Sequence, residues 1–317
     1  MKYRRLGTTG VKVSEISLGS WLTYGGYVEN ENAIKTIHKA YDLGINFFDT
    51  ANVYRRGEAE KVVGIALREF PRESYVLATK VFWPMGEGVN DRGLSRKHVI
   101  EQANASLKRL GLDYVDLYYA HRFDPETPME ETLRAFDDLI NQGKTLYVGV
   151  SEWTAAQIAE AIHIADKKLL DRIVVNQPVY NMFNRYIEKE VMPISEAHGV
   201  GQVVFSPLAQ GVLTGKYKKG VAAPSGSRLA DPDSKAFVER YLSEDNFDRV
   251  DKLQEVANDL NVSLAQLALA WVLRTDNVSS ALIGASRPEQ VEENVKAIDV
   301  ELTEDVLNRI EDILTLK

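Results

Sequence analysis

The chain has 317 residues, of which 44% are hydrophobic, and it contains no cysteine. The lack of cysteine excludes disulfide frameworks, thiolate zinc sites, iron–sulfur clusters and cysteine nucleophiles, and it agrees with a reducing cytoplasm. A net charge of −8 gives the chain no electrostatic attraction to nucleic acid or to an anionic membrane surface.

The first predicted element is a β-hairpin, in which the turn residues 7–10 separate the two short arms of YRRLGTTGVKV. Strand-like runs follow it along the chain. They are apolar almost throughout rather than alternating, as expected of strands that are covered on both faces. The predicted strands are residues 15–19, 45–49, 75–79, 115–120, 146–150, 173–177, 202–206 and 280–284.

Helical periodicity fills the spaces between these runs. The predicted helices are residues 30–43, 58–68, 96–110, 129–142, 155–167, 186–198, 246–260, 264–274, 289–297 and 303–315. Start signals support three of them: Thr127 precedes PMEE, Ser263 precedes LAQL, and Pro288 opens PEQVEEN. Repeated strand–helix pairs without a composition break predict one α/β domain over residues 1–317, a (β/α)8 TIM barrel with extra helices.

Two segments interrupt the strand–helix alternation. One covers residues 83–95, and the other runs from Ala209 to about Asn246 and is rich in Gly, Lys, Pro and Ser. Loops of this length are usually functional lids or disordered insertions. Since both follow a predicted strand, we expect them on the C-terminal, catalytic face of the barrel.

Polar residues stand at the ends of predicted strands. Asp49, Lys80 and His121 each follow directly on a short apolar run, and Tyr54 lies a few residues after Asp49. The carboxyl ends of parallel barrel strands meet on one face, so these side chains are expected together. A phenol can transfer a proton to a carbonyl oxygen when an ammonium lies beside it and a carboxylate holds that ammonium in place. Taken singly, each residue has an ordinary structural role, whereas the set on one face favours catalysis.

The sequence resembles the aldo-keto reductase superfamily at DTANVY, ATK and YYAHR, and the likeness runs from RRLGTTGVKVSEISLGSW to GASRPEQVEENV. It resembles most the voltage-gated potassium channel β subunits and their bacterial reductase relatives, at LSRKHVIEQANASLKRLGLDYVDL, TPMEET, INQGK and FSPLAQGVLTGKY. Channel β subunits carry Asn where this chain has His121, and this difference points towards the more active reductases.

The resemblance implies a catalytic tetrad of Asp49, Tyr54, Lys80 and His121. Tyr54 would donate its phenolic proton to the carbonyl oxygen, and Lys80 would lower the pKa of the phenol from about 10. Asp49 would neutralise and orient Lys80, because a buried unpaired ammonium is costly. His121 would hydrogen-bond the substrate oxygen and relay the proton to Tyr54.

The resemblance also implies a nicotinamide cofactor that is bound without a Rossmann fold, and the GTTG of the hairpin is a poor dinucleotide fingerprint. Ser151 and Gln177 would hydrogen-bond the carboxamide, and Phe205 would stack on the nicotinamide ring. The residues implied at the pyrophosphate and along the same cavity are Ser20, Trp21, Ser206, Leu208, Gly211 and Lys216.

The adenosine end of the cofactor matches the segment that begins at Gly284. Ser286 and Arg287 precede a helix start, and a helix N-terminus with a guanidinium is a good phosphate site. We therefore predict the 2′-phosphate of NADPH there, with Arg228 of the long loop as a second phosphate contact. The residues expected around the ribose and adenine are Gln290, Glu293 and Asn294.

One position departs from the family pattern. Most members have Asn after the serine of the GxS motif, where this chain has Glu152. A carboxylate cannot donate a hydrogen bond to the carboxamide oxygen. Two alternatives remain open: the subfamily tolerates the loss of this contact, or Glu152 turns away from the cofactor.

Aromatic residues near the tetrad predict the rim of a substrate pocket. The expected pocket residues are Trp21, Tyr54, Trp83 and His121. Tyr24, Met85 and Phe123 fall on nearby loops or strand ends, although scattered aromatics often serve packing. Such a rim suits small apolar aldehydes and ketones. No basic cluster that would bind a carboxylate is recognisable at the mouth.

Three functions fit the pattern to different degrees. The first is NADPH-dependent reduction of aldehydes and ketones to alcohols, which the complete tetrad supports. The second is an NADP(H)-binding, redox-sensing accessory subunit with slow or vestigial reductase activity, like the channel β subunits. A metal-dependent hydrolase ranks last, because His38, His98, His121, His163 and His198 form no pair with metal-ligand spacing.

The N-terminus MKYRRLGTTG lacks the apolar core of a secretory signal, and the longest apolar stretch, LAQLALAWVL, is too short to span a bilayer. We therefore expect a cytoplasmic protein with a small carbonyl substrate, no nucleic-acid partner and no membrane insertion. A monomer and a tetramer both remain possible.

Overall fold

A two-stranded antiparallel hairpin precedes a closed barrel of eight parallel strands. The computed structural model describes residues 1–25 and 28–315. The strands are β1 (Tyr3–Arg5), β2 (Lys12–Ser14), β3 (Ile16–Gly19), β4 (Phe47–Asp49), β5 (Val76–Val81), β6 (Val115–Ala120), β7 (Thr145–Ser151), β8 (Val175–Gln177), β9 (Gly201–Phe205) and β10 (Val278–Ile283). In the barrel, β3 to β10 follow in chain order, and β10 pairs with β3 to close it. The predicted (β/α)8 barrel and its N-terminal hairpin are confirmed.

The hairpin covers the amino-terminal end of the barrel. Leu6 and Val13 are fully buried in one cluster with Phe47 of β4. The backbone N–H of Thr8 donates to the carbonyl of Gly199, just before β9, at 3.0 Å. With this end covered, the barrel is open at the carboxyl ends of its strands, where such barrels carry their chemistry.

Helices surround the barrel and return the chain from strand to strand. They are α1 (Asn30–Asp42), α2 (Glu58–Leu67), α3 (Arg96–Leu110), α4 (Met129–Asn141), α5 (Ala155–Lys168), α6 (Val191–His198), α7 (Lys235–Glu239), α8 (Glu244–Asp259), α9 (Leu264–Leu273), α10 (Pro288–Val295) and α11 (Glu304–Thr315). Short 3-10 helices cover Tyr54–Gly57, Arg72–Ser74, Tyr186–Glu188, Ala209–Thr214 and Lys296–Asp299. Helices α1 to α6, α9 and α10 complete the strand–helix units, and α7, α8 and α11 are additional.

Helix capping agrees with two of the three predicted start signals. Ser263 and Gln266 form a reciprocal capping box at the start of α9. Pro288 lies in the first turn of α10, where its missing N–H costs nothing. The prediction for Thr127 is wrong, because its hydroxyl donates to Asp124 at 2.8 Å and α4 begins without a side-chain cap.

Some element bounds differ from the prediction. The segment 186–198 divides into a 3-10 turn and α6, because a continuous helix would place Pro193 in its interior. Helix α8 begins at Glu244, slightly earlier than predicted, because the Ser243 hydroxyl caps its first turn. The segment 209–246 is not irregular throughout, since it contains α7 and a 3-10 turn.

No single described helix combines the length and the apolar composition needed to cross a bilayer. Helices α8 and α9 meet these two criteria only as a pair, and they are bent by 89° at the break between them.

Candidate active site

The predicted catalytic side chains converge at the carboxyl ends of β4, β5 and β6. The Lys80 amine forms an ion pair with Asp49 and donates hydrogen bonds to the Thr50 carbonyl at 2.9 Å and to the Tyr54 hydroxyl at 3.3 Å. The His121 ring packs edge-to-face on Tyr54, with ring centroids 5.6 Å apart. Asp49, Lys80 and His121 are buried. The structure therefore brings all these side chains into one site.

The turn that carries Tyr54 has an unusual backbone. Arg55 and Arg56 adopt left-handed φ angles of 48° and 52°, and Gly57 follows with a φ of 94°. Left-handed backbone costs a residue with a side chain roughly 1–2 kcal/mol. A Cβ atom on Gly57 would lie 2.5 Å from Cδ of Arg109, so only glycine fits at that position. The surroundings, rather than local propensity, hold this turn in place.

A buried carboxylate connects this turn to the strand that carries Lys80. Glu60 is fully buried and accepts hydrogen bonds from Nε of Arg109 at 2.5 Å and from the Thr79 hydroxyl at 2.6 Å. Arg109 is the side chain on which Gly57 packs, and Thr79 directly precedes Lys80. The network therefore fixes the turn relative to β5.

Burial is the largest influence on ionisation in the tetrad. It raises the pKa of Asp49 and lowers that of Lys80, while their ion pair opposes both shifts. Burial, followed by the Asp49 carboxylate, raises the pKa of Tyr54 well above its ordinary value. The net shift of the Tyr54 pKa is therefore upward, opposite to the lowering expected from the sequence. Burial, followed by the charges of Lys80 and Arg122, lowers the pKa of His121 well below its ordinary value, so the imidazole is neutral at neutral pH.

A groove of about 530 Å³ runs from the ends of β3, β9 and β10 beneath the segment 209–246. Most residues that were predicted to bind a cofactor line it. They are Trp21, Phe205, Ser206, Leu208, Gly211, Lys216, Arg228, Gly284, Ser286, Arg287, Gln290, Glu293 and Asn294. The residues that the resemblance implied therefore line one continuous surface, although they come from widely separated segments of the chain.

The other three residues predicted to contact the cofactor lie among the polar contacts around the tetrad. The Ser20 hydroxyl donates to Thr50 Oγ1 at 2.9 Å. The Ser151 hydroxyl donates to the carbonyl of Gln177 at 2.8 Å, and Nε2 of Gln177 donates to Asp49 Oδ2 at 2.9 Å. Gln177 therefore orients the Asp49 carboxylate, a contact that sequence patterns do not reveal because it joins strands on opposite sides of the barrel.

Three cations converge in the groove. Burial lowers the pKa of Lys216 to about 8, and repulsion from Arg228 and Arg287 adds to this shift. A Cβ atom on Gly211, which has a φ of 95°, would lie 2.9 Å from Cε of Lys216. The positive φ favours glycine at this position, and the absence of a Cβ leaves room for the lysine side chain. Clustered cations of this kind need an anion to offset their mutual repulsion, and the phosphates of a dinucleotide have the fitting chemistry.

The structure adds groove residues that the sequence pattern missed. Gln210 has a left-handed φ of 57°, and its amide donates to the Ser206 hydroxyl and accepts from Nη1 of Arg228, both at 2.5 Å. Gln210 thereby connects the long loop to the end of β9. Thr23 and the exposed Glu289 also line the groove. Gln210 and Glu289 lie within FSPLAQGVLTGKY and GASRPEQVEENV, so the family resemblance of these segments could have located them, whereas no periodic signal marks Thr23.

The expected aromatic rim is present in part. The Trp83 ring is 38% exposed and lies 6.4 Å from the His121 ring, so it borders the catalytic mouth. Trp21 packs edge-to-face on Phe237 of α7, with centroids 5.0 Å apart. Because Phe237 belongs to the segment 209–246, the long loop supplies a wall of the pocket that was not predicted. Tyr24, by contrast, is buried in the hydrophobic core.

Phe123 and Met85, which the sequence placed near the mouth, make structural contacts beside it. Phe123 packs on Trp153, with centroids 5.3 Å apart. The N–H of Met85 donates to the carbonyl of Asp91 at 3.0 Å, within the first long loop. Phe123 therefore contributes to aromatic packing, and the backbone of Met85 stabilises the first long loop.

Glu152 turns away from the predicted carboxamide position. It has a left-handed φ of 60°, and its carboxylate accepts from the N–H of Val179 at 2.5 Å and from the Tyr186 hydroxyl at 3.3 Å. The carboxylate therefore stabilises the chain after β8. Of the two alternatives left open by the sequence, the structure supports the second.

Over residues 1–25 and 28–315, no group of three or more His, Cys, Asp or Glu side chains could hold a metal ion. His38 and His163 lie within α1 and α5, as their sequence positions predicted.

Comparison with known proteins agrees with this geometry. The family model described as aldo/keto reductase family matches residues 15–315. A probable voltage-gated potassium channel subunit beta of Arabidopsis thaliana is 48% identical over 322 residues, covering 100% of this chain and 98% of that protein. The corresponding protein of Oryza sativa subsp. japonica is 45% identical with the same coverage. A putative voltage-gated potassium channel subunit beta of Schizosaccharomyces pombe is 47% identical, covering 98% of this chain and 93% of that protein. The chain belongs to the aldo/keto reductase family.

Proposed function

We propose that the protein is an NADPH-dependent reductase of small aldehydes and ketones, with Tyr54 as the general acid. Membership of the family supports an oxidoreductase that uses a nicotinamide cofactor. The observation that carries the proposal is the contact of the Tyr54 hydroxyl with the Asp49-paired Lys80 amine, 3.3 Å away.

The residues of the site have distinct roles in the proposed reaction. When bound, the reduced nicotinamide supplies a hydride to the carbonyl carbon. Tyr54 is protonated at neutral pH, as any phenol with an ordinary or raised pKa is, and it transfers that proton to the carbonyl oxygen. The Lys80 ammonium stabilises the phenolate that forms, and Asp49 keeps the ammonium charged and oriented. Neutral His121 hydrogen-bonds the substrate oxygen.

The groove residues would hold the cofactor by its phosphates. Lys216, Arg228 and Arg287 supply positive charge along the groove. Arg287 and Ser286 also stand at the N-terminus of α10, where backbone N–H groups favour an anion. We assign this end of the groove to the 2′-phosphate. Because NADH lacks this phosphate, the contact gives the preference for NADPH.

Fluorescence titration with NADPH and NADH side by side tests the cofactor assignment. Arg287→Ala should raise the dissociation constant for NADPH about tenfold or more, because a charge-assisted contact with the 2′-phosphate is lost, and should change that for NADH much less. Arg68→Ala removes an exposed arginine at the end of α2 and is the matched control. Equal weakening of both cofactors by Arg287→Ala would contradict the assignment.

A second candidate is an NADP(H)-binding accessory subunit with slow or vestigial chemistry. The names of the relatives at 45–48% identity favour it. Steady-state NADPH oxidation with 4-nitrobenzaldehyde distinguishes the two functions. Sustained turnover supports the reductase, whereas tight NADPH binding with negligible turnover over a broad carbonyl panel supports the accessory subunit.

A further inference from the structure

Arg122 stands at the catalytic mouth without a counter-charge. It directly follows His121 at the end of β6 and is half-buried. Its Nη1 donates to the carbonyl of His121 at 2.6 Å and to the Ser151 hydroxyl at 3.2 Å. These acceptors are neutral, and within residues 1–25 and 28–315 the guanidinium has no carboxylate in ion-pair range. The remaining nitrogens of the fork are available to another acceptor.

Six other half-buried arginines of the described chain are ion-paired or lie in the groove of cations. The ion-paired ones are Arg4, Arg72, Arg109, Arg134 and Arg185, each with a carboxylate oxygen within 3.0 Å. Arg228 lies in the groove that we assign to cofactor phosphates. A guanidinium that is partly removed from water without an anion is unfavourable. Arg122 therefore has the properties of a binding residue whose partner is not part of the chain.

Two acidic groups of the site, Glu152 and Asp49, have other partners. The Glu152 carboxylate accepts from the Val179 N–H and the Tyr186 hydroxyl. Asp49 is paired with Lys80. Neither carboxylate forms an ion pair with Arg122, whose guanidinium donates, among the described residues, only to neutral acceptors.

The guanidinium faces the substrate side of the tetrad. Its Cζ atom lies 5.8 Å from the centre of the Trp83 ring, and that ring lies 6.4 Å from the His121 ring. Arg122, Trp83 and His121 thus form one wall of the mouth. Its charge also contributes, after burial and the charge of Lys80, to lowering the pKa of His121. An aromatic surface beside a guanidinium suits a flat carbonyl compound that carries an acidic group.

We infer that Arg122 binds an anionic group of the substrate, so that the preferred carbonyl compounds carry a carboxylate or a phosphate. The inference rests on the proposed reductase function and names its substrate class. The planar fork of a guanidinium matches either anion through two parallel hydrogen bonds. The sequence showed no basic cluster at the mouth, and a lone arginine could not be recognised as one.

Three aldehydes of similar shape test the inference. They are 4-carboxybenzaldehyde, its neutral methyl ester, and 4-formylphenyl phosphate, with kcat/KM measured from NADPH oxidation. The wild-type protein should prefer at least one anionic aldehyde over the ester. Arg122→Met should lower the ratio of anionic to neutral kcat/KM about tenfold to a hundredfold. Comparison of the carboxylate with the phosphate identifies which anion the site takes.

Two further variants control the experiment. Arg122→Lys keeps the charge but not the fork, and it should give an intermediate ratio. Arg68→Met removes an exposed arginine outside the site and should leave the ratio as in the wild type. If the Arg122 variants do not fold, inhibition of the wild-type protein by benzoate and by benzamide replaces them. Benzoate should then inhibit at least tenfold more strongly, because only it carries the anion.

The possible failures are distinguishable. If Arg122→Met lowers kcat/KM equally for all three aldehydes, Arg122 only holds the ends of β6 and β7 through His121 and Ser151, and the inference is overturned. An unchanged ratio of anionic to neutral kcat/KM in Arg122→Met would also overturn it. Equal inhibition of the wild-type protein by benzoate and benzamide would also overturn the inference. Absence of NADPH oxidation with every aldehyde would instead contradict the proposed reductase.

Discussion

At the level of single residues, the Asp49–Lys80 pair controls the charge around Tyr54. A buried ammonium without a partner would lose its proton or cost several kcal/mol. Asp49 prevents this through the ion pair, and Gln177 holds its second oxygen from the opposite side at 2.9 Å. Burial and the Asp49 carboxylate raise the pKa of Tyr54 further, so the phenol keeps its proton over a wide pH range.

Asp49→Asn should lower the free energy of unfolding by about 3–5 kcal/mol, because it leaves Lys80 buried without a counter-charge. Urea denaturation measures the change. Asp259→Asn, which removes an exposed ion pair with Arg309, is the matched control and should have a small effect. Similar effects of the two substitutions would show that the buried pair is not needed for stability.

The pH dependence of reduction follows from the shifted pKa values. Tyr54 is active when protonated and loses its proton only as the pH rises through its raised pKa, above the ordinary 10.0. His121 acts in its neutral form, which is lost only as the pH falls through its lowered pKa, below the ordinary 6.5. With saturating NADPH, kcat/KM for a neutral aldehyde should therefore be flat from about pH 7 to 9. A titration inside this range would contradict the assigned protonation states.

At the level of elements, the sequence predicted what local periodicity encodes. Each predicted strand is present, because buried parallel strands are apolar throughout. The prediction failed where a single residue overrides the period, as Pro193 does at the start of α6. The sequence also contained no sign of the left-handed backbone of Arg55 and Arg56. This backbone depends on contacts with Arg109 of α3, which packs on Gly57 and pairs with Glu60.

Gly57→Ala tests whether this turn positions Tyr54. The added methyl group meets Arg109 at 2.5 Å and requires an unfavourable φ of 94°, so we expect a loss of about 1–3 kcal/mol in stability and a lower kcat. Gly10→Ala is the matched control, because nothing lies within 4 Å of the added Cβ and φ is ordinary. An unchanged kcat in Gly57→Ala would separate the turn from catalysis.

At the level of the whole molecule, the barrel is covered at one end and shaped by loops at the other. The hairpin closes the amino-terminal end with Leu6 and Val13. At the open end, the long loop packs Phe237 on Trp21, and Asp233 forms an ion pair with Arg55, 3.1 Å away. The barrel was predictable because its strands and helices repeat. The pocket wall was not, because it depends on contacts between segments far apart in the chain.

The most direct test of the proposed chemistry is the rate of NADPH oxidation with 4-nitrobenzaldehyde by the wild-type protein and Tyr54→Phe. NADPH affinity is measured on the same samples by fluorescence, and the phenylalanine ring retains the packing on His121. We expect kcat to fall about 10²–10⁴-fold while the dissociation constant of NADPH changes less than about twofold, because only the proton donor is removed. Wild-type turnover by Tyr54→Phe would contradict the assignment of Tyr54 as the acid.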